Sequence, residues 1–212
     1  AVILSGCGVY DGAEIGEAIL TLMNISKAGA SYQCFAPDVE QMHTVNHLTG
    51  EEMSPNRNVL VEAARIARGD VKAVTELNAT DFDALILPGG FGAAKNLCDF
   101  AVRGAEAQAN QDTVAACKGF VEQNKPIGYM CIAPALIPLI HGQQVKLTIG
   151  CDQQTASAID QMGGAHVDCA VDDIVVDEDN KVVSTPAYML AQDLAQADAG
   201  ISKLVNRIIE MS

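Results

Sequence analysis

The chain has 212 residues and a formal net charge of −14, with 49% hydrophobic residues, 4% aromatic ones and no Trp. That length suits one α/β domain with additions, and its core must be built from Ala, Val, Ile and Leu. A surface this acidic repels phosphate backbones and anionic lipid, so neither nucleic acid nor a membrane is expected as a partner. No apolar run reaches the roughly 20 residues that cross a bilayer.

In chain order, "AVILS" (1–5) predicts a strand. "AEIGEAILTLMNISKAG" (13–29) predicts an amphipathic helix closed by Gly29, and "SYQCFA" (31–36) a second strand. The stretch 37–56 is long, polar and bounded by prolines. It stands outside the alternation, is followed by an extra helix in "RNVLVEAARIARG", and has the length of a loop that covers a site or a subunit contact. "ALILP" (84–88) and "PIGYMC" (126–131) read as buried strands, separated by a helix over 103–125. "VKLTIG" (145–150) reads as another strand, 155–164 as a helix ending in paired glycines, and "HVDC" as a short strand. "DIVVDEDNKVVST" (173–185) carries a hairpin signal, and a closing helix follows that Gly200 is expected to break. Alternating strands and helices imply a mostly parallel sheet covered on both faces, with ligands bound beyond the carboxyl ends of its strands.

Three segments converge on those ends: "SGCGVYDGAEIGE", "PGGFGAAKNL" and "CIAPAL". Cys131 stands where a strand turns directly into a helix. There it is either a nucleophile lifted above the sheet on a strained turn or a small buried core residue. As a nucleophile it would be favoured as a thiolate by the N–H groups of the following turn, whose first residues include Pro134. Gly89 and Gly90 allow backbone N–H groups to approach a ligand and, with the N–H of Ile132, to form an oxyanion site. Asp11 and Glu14 have the spacing of a capping box. Glu17, one turn further on, could aim a carboxyl into the crevice, where burial would keep it protonated. Which of the two glutamates faces Cys131 stays open. Cys7, Glu14 and His47 are candidates to line the same pocket, and His43 also lies in the segment that could overhang it. His141 and His166 read as structural. Seven cysteines without CxxC or His/Cys ligand spacing argue against a disulfide framework or a metal site. Free thiols point to a reducing compartment, and "AVILSGCGVY" lacks the basic start of a signal peptide, so a cytoplasmic location is expected.

Taken together, "LPGGFGAAKNL", "GYMCIAPAL" and "VVDEDNKVVSTPAYMLAQ" resemble the PfpI-like branch of the class I glutamine amidotransferase-like superfamily. The combination of "VILSGCGVYDG", "VNHLTGE", "RNVLVEAARI" and "VDDIVVDEDNKVVSTPAYMLAQ" is similar to the ElbB-type isoprenoid biosynthesis glyoxalases. The resemblance covers nearly the whole chain as a single domain, with the loop and helix at about 37–69 as an insertion. It implies a flavodoxin-like three-layer sandwich, a homodimer, Cys131 as nucleophile, Glu17 as its acidic partner, and Gly90 and Ile132 as oxyanion donors. The chain departs from the true amidotransferases, which have Gly two residues and Gln four residues after the cysteine; Ala133 and Ala135 stand there. No late His-x-Glu pair occurs, and Ile132 occupies the place of the histidine that follows the cysteine in many PfpI-like members. Glutamine and peptide hydrolysis therefore lose support. The expected activity is glutathione-independent conversion of glyoxal or methylglyoxal to glycolate or lactate, with no metal or organic cofactor. The alternative is a cysteine-based redox sensor or regulatory binding module.

Overall fold

A computed structural model describes residues 1–212. Its strands are β1 (Val2–Ile3), β2 (Cys34–Ala36), β3 (Val71–Ala73), β4 (Leu85–Leu87), β5 (Ile127–Met130), β6 (Lys146–Leu147), β7 (Ala165–His166), β8 (Val175–Asp177) and β9 (Val182–Thr185). Its helices are α1 (Ile15–Lys27), α2 (Val59–Ile66), α3 (Phe91–Lys95), α4 (Phe100–Arg103), α5 (Gln111–Glu122), α6 (Ile137–Ile140), α7 (Gln153–Gln161) and α8 (Leu194–Met211). Seven strands form the central sheet in the order β3-β2-β1-β4-β5-β9-β8. All neighbours run parallel except the hairpin β8–β9, where Val175 faces Ser184 and Asp177 faces Val182. This is the expected flavodoxin-like α/β sandwich.

Alternation along the strands divides the core into two layers. Ile3, Leu85, Leu87, Ile127, Tyr129 and Val182 face one side, where Ala93 and Ala94 of α3, Ala116 and Phe120 of α5, and Ile137 and Ile140 of α6 cover them. Val2, Leu4, Ile86, Met130 and Val183 face the other, under α1, α2 and α8. The longer helices begin at polar caps: Glu14, Asn58, Asn110, Asp152 and Asp193 each accept an N–H of the first turn.

Several expectations are corrected. Glu14 caps α1, as its place in the Asp11–Glu14 pair suggests, but Asp11 takes no part in the cap: its carboxyl accepts the Val45 N–H at 2.7 Å, tying the inserted segment to the loop after β1. The helix expected over 103–125 is two pieces, because the Asn110 side chain takes the Thr113 N–H and starts α5 afresh. β6 pairs with β7 in a separate two-stranded sheet. Gly200 does not break α8. A Cβ there would lie 2.5 Å from Thr185 Oγ1 and 2.7 Å from the Val171 carbonyl, so the missing side chain is what lets the helix lie against the end of β9. β3, an edge strand with Lys72 exposed at its centre, follows the inserted helix and was not expected.

Candidate functional site

β1 and β4 are neighbours, yet β1 leads to α1 on one face and β4 to α3 on the other. Connections that part in this way leave a crevice beyond the carboxyl ends of the two strands. Its rim is made almost without side chains. A Cβ on Gly90 would fall 2.4 Å from the Gly12 carbonyl, one on Gly92 2.5 Å from Gly12 Cα, and one on Gly12 2.2 Å from the Cys7 N. The loops after β1 and β4 are therefore stacked backbone on backbone. Phe91 N–H donates to the Val9 carbonyl and Gly92 N–H to that of Gly12, which fastens them together.

Cys131 follows β5 immediately and has φ of +59°. A non-glycine residue in this left-handed region carries strain on the order of 1–3 kcal/mol. It is held there from behind, where its N–H donates to the Thr185 carbonyl at 3.0 Å and extends the β5–β9 ladder. The Gly90 and Ile132 N–H groups and the Glu17 carboxyl lie around the sulfur, near enough to shift its titration. Gly89 makes that contact possible, since a Cβ on it would lie 2.4 Å from Cys131 Cβ and 2.7 Å from Glu17 Oε2.

Glu17 is fully buried at the start of α1. Its Oε2 accepts the Gly89 N–H at 2.9 Å and its Oε1 the Tyr188 N–H at 3.1 Å. Burial outweighs these bonds and raises the carboxyl to about 7. Between the two glutamates, Glu17 is the one that meets the cysteine. Glu14 stays at the rim, where its carboxylate accepts the Glu17 N–H at 2.6 Å.

The ionised thiol expected from the helix N–H groups is not what the environment favours. Burial, then the Glu17 charge, push the Cys131 thiol well above its ordinary value, against the opposing pull of the Gly90 and Ile132 N–H groups. The physical reason is that one buried pocket resists holding two negative charges. When Glu17 is protonated the repulsion vanishes, and its O–H can point at the sulfur. Thiolate formation is thereby tied to a proton on Glu17.

Cys7 and His47 lie on the side of the rim that faces the inserted segment. The charges acting on Cys7 are those of Glu62, Arg65, Asp11 and Arg57, all on the loop after β1 or the inserted segment and its helix. His47 stacks on Tyr10, takes the Tyr10 N–H on Nε2 at 3.1 Å and donates from Nδ1 to the Val45 carbonyl at 3.0 Å, a bracing role for the insertion. His141 lies behind the elbow with Nε2 2.9 Å from the Tyr129 hydroxyl, and burial lowers it to about 4. A hollow of about 260 Å³ lined by Tyr10, Val45, Gly50, Phe91 and Lys95 adjoins the glycine loop. The Tyr188 N–H and Thr185 carbonyl were not foreseen, because backbone groups leave no mark in residue identity. Ala187, at φ of +45°, is the turn that aims the former.

No family model matches the chain. It is 44% identical over its whole length to the ES1 protein homolog of Rattus norvegicus, covering 83% of that protein. The chain belongs to the ES1 family. A human member, 44% identical and covered to 82%, is the glutamine amidotransferase-like class 1 domain-containing protein 3. Both ES1 relatives are named as mitochondrial, which overturns the cytoplasmic expectation. Free thiols indicate a reducing compartment and do not distinguish one such compartment from another. Among solved structures, an isoprenoid biosynthesis protein with an amidotransferase-like domain from Ehrlichia chaffeensis superposes with a TM-score of 0.92 at 37% identity, over 99% of this chain and 97% of that one. Drosophila melanogaster DJ-1beta, at 15% identity and a TM-score of 0.56, covering 99% of this chain and 92% of that one, shares the fold.

Proposed function

We propose that the protein is a glutathione-independent glyoxalase of the ElbB type acting on glyoxal or methylglyoxal. The observation that carries this reading is the close approach of Cys131 and a buried carboxyl raised to about 7, which meet across the Gly89 backbone. The thiolate adds to the aldehyde carbon, and the resulting alkoxide is protonated to a hemithioacetal. Glu17 as carboxylate takes the proton from that carbon and returns it to the neighbouring one through an enediol, leaving a thioester of the 2-hydroxy acid. Water cleaves the thioester, releases glycolate or lactate and restores the thiol. The N–H groups of Gly90 and Ile132 would hold the negative oxygen as it forms. A carboxyl titrating near neutrality can act both as base and as acid in one cycle, which suits a reaction that begins and ends with the same proton inventory.

The Gly90 and Ile132 N–H groups and the Glu17 carboxyl beside Cys131 favour a second reading. A sulfinate formed on Cys131 would find the same N–H groups and the Glu17 proton as partners, as a redox sensor requires. Turnover of methylglyoxal to lactate, measured for the wild type, Cys131→Ala and Glu17→Gln, separates the two. Turnover lost in the first variant and reduced about a hundredfold or more in the second supports the glyoxalase. No turnover in any form, with a peroxide-induced mass gain on Cys131 alone, replaces it with the sensor.

A further inference from the structure

Two of the seven thiols stand on chain segments joined by a backbone hydrogen bond: Cys151 ends the loop after β6, and Cys169 lies just beyond β7. β6 and β7 run parallel, with Lys146 opposite Ala165 and Leu147 opposite His166. In this ladder Ala165 N–H donates to the Val145 carbonyl and Val167 N–H to that of Leu147. The donor at one position thus bonds the residue just before its partner. Further along, Thr148 Oγ1 takes the Gly150 N–H, and Gly150, at φ of +101°, inserts an extra residue into the first chain. Contact then resumes: the Cys169 N–H donates to the Gly150 carbonyl at 3.3 Å. By the same offset, the residue opposite Cys169 is Cys151.

Residues opposite one another on neighbouring strands sit about 5 Å apart. That falls within the roughly 4.4–6.8 Å between Cα atoms that a disulfide spans. Cys151 is exposed and Cys169 half-buried, so an oxidant in solution can reach the pair. The elements on either side are held in place. Asp152, directly after Cys151, caps α7, and the Cys169 end is fixed by the Asp173 N–H donating to the Ala170 carbonyl.

We propose that Cys151 and Cys169 are a redox modification site, closing to an intramolecular disulfide under hydroperoxides and reopening under thiols. The Cys151 thiolate attacks one peroxide oxygen and the O–O bond breaks. This leaves a sulfenic acid and releases the other oxygen as water or an alcohol. The Cys169 sulfur then displaces that hydroxyl as water and forms the S–S bond. Two thiols are oxidised by two electrons and one peroxide is reduced. A dithiol reverses the change by exchange. The link would clip the start of α7 to the end of β7. Gly150 packs on Leu190, where its Cβ position lies 3.0 Å from Leu190 Cγ, and Leu190 is two residues beyond the Tyr188 whose N–H holds Glu17. The clip therefore closes beside one wall of the crevice, although the inference stands without the glyoxalase reading.

The test is peptide mapping of the full chain under non-reducing conditions after one equivalent of hydrogen peroxide, done in the wild type and in Cys131→Ser so that oxidation of the elbow cannot be confused with it. The expected result is a peptide pair joined through Cys151 and Cys169 within one chain, in both proteins, lost on adding dithiothreitol and absent from Cys151→Ser and from Cys169→Ser. Diamide, which oxidises dithiols without a sulfenic step, should give the same pair in the wild type, independently of how any variant folds. A Cys151 that goes to sulfinic acid or joins a second chain, while Cys169 remains open to alkylation, overturns the proposal. So does a pair that neither oxidant links.

Discussion

Glu17 is a carboxyl that the fold prefers neutral, and this has a cost that depends on pH. Its folded value of about 7 stands above the ordinary 4.5. The folded chain therefore binds more protons than the unfolded one between those limits, and the contribution to stability is lost as pH rises from about 4.5 to 7. At 1.36 kcal/mol per unit, the swing is on the order of 3 kcal/mol. Gly89 belongs to the same contact. Gly89→Ala places a methyl against Cys131 Cβ and the Met130 carbonyl, 2.4 and 2.9 Å away. It should destabilise by about 1–3 kcal/mol in urea unfolding and abolish the proposed turnover at Cys131. The cysteine, its strained elbow and the two glutamate candidates were legible in residue type and spacing. The ionisation of Cys131 was not, since it is set by burial and by a carboxyl that arrives from a distant part of the chain. Nor could spacing choose between Glu14 and Glu17, which start the same helix and differ only in which faces the sheet.

At the level of elements, periodicity located the central strands and main helices, and lost its hold where tertiary contacts decide. Lys72 in the middle of β3 conceals a strand whose pairing partner is 37 residues earlier at Cys34↔Val71. Nothing local separates β6 from the main sheet; in place of a backbone ladder, the Lys146 N–H goes to the Asp177 side chain of β8 at 2.8 Å. Gly200 shows the same override most simply. Alanine is the better helix former by about 1 kcal/mol. Gly200→Ala should nevertheless destabilise, by about 1–3 kcal/mol, because its methyl would meet Thr185 Oγ1 and the Val171 carbonyl. A urea midpoint that moves upward in this variant, with unchanged m, would show that α8 can ride away from β9 without penalty.

Across the whole molecule, Glu17 has a counterweight in His141. Burial lowers that imidazole from 6.5 to about 4, so the folded state binds fewer protons than the unfolded one in this range, and stability is lost as pH falls from about 6.5 to 4. The two slopes oppose each other over nearly the same window. The two contributions should offset each other between about pH 4.5 and 6.5, read as differences between the urea midpoints of each variant and the wild type. Glu17→Gln should expose the histidine limb, with stability rising with pH, whatever constant cost the variant carries. His141→Gln should lose stability relative to the wild type as pH rises through the same window. Parallel curves in all three proteins would rule out both burial arguments. The margins of the sheet have a different consequence. One ends in three residues with an ammonium at the centre, and the other is a hairpin whose outer strand Asp177 fastens to the β6 backbone. Neither offers a bare, flat template for a stranger's backbone, so crowding of this chain should not seed fibrils by strand addition, even with a core so rich in β-branched and aliphatic side chains.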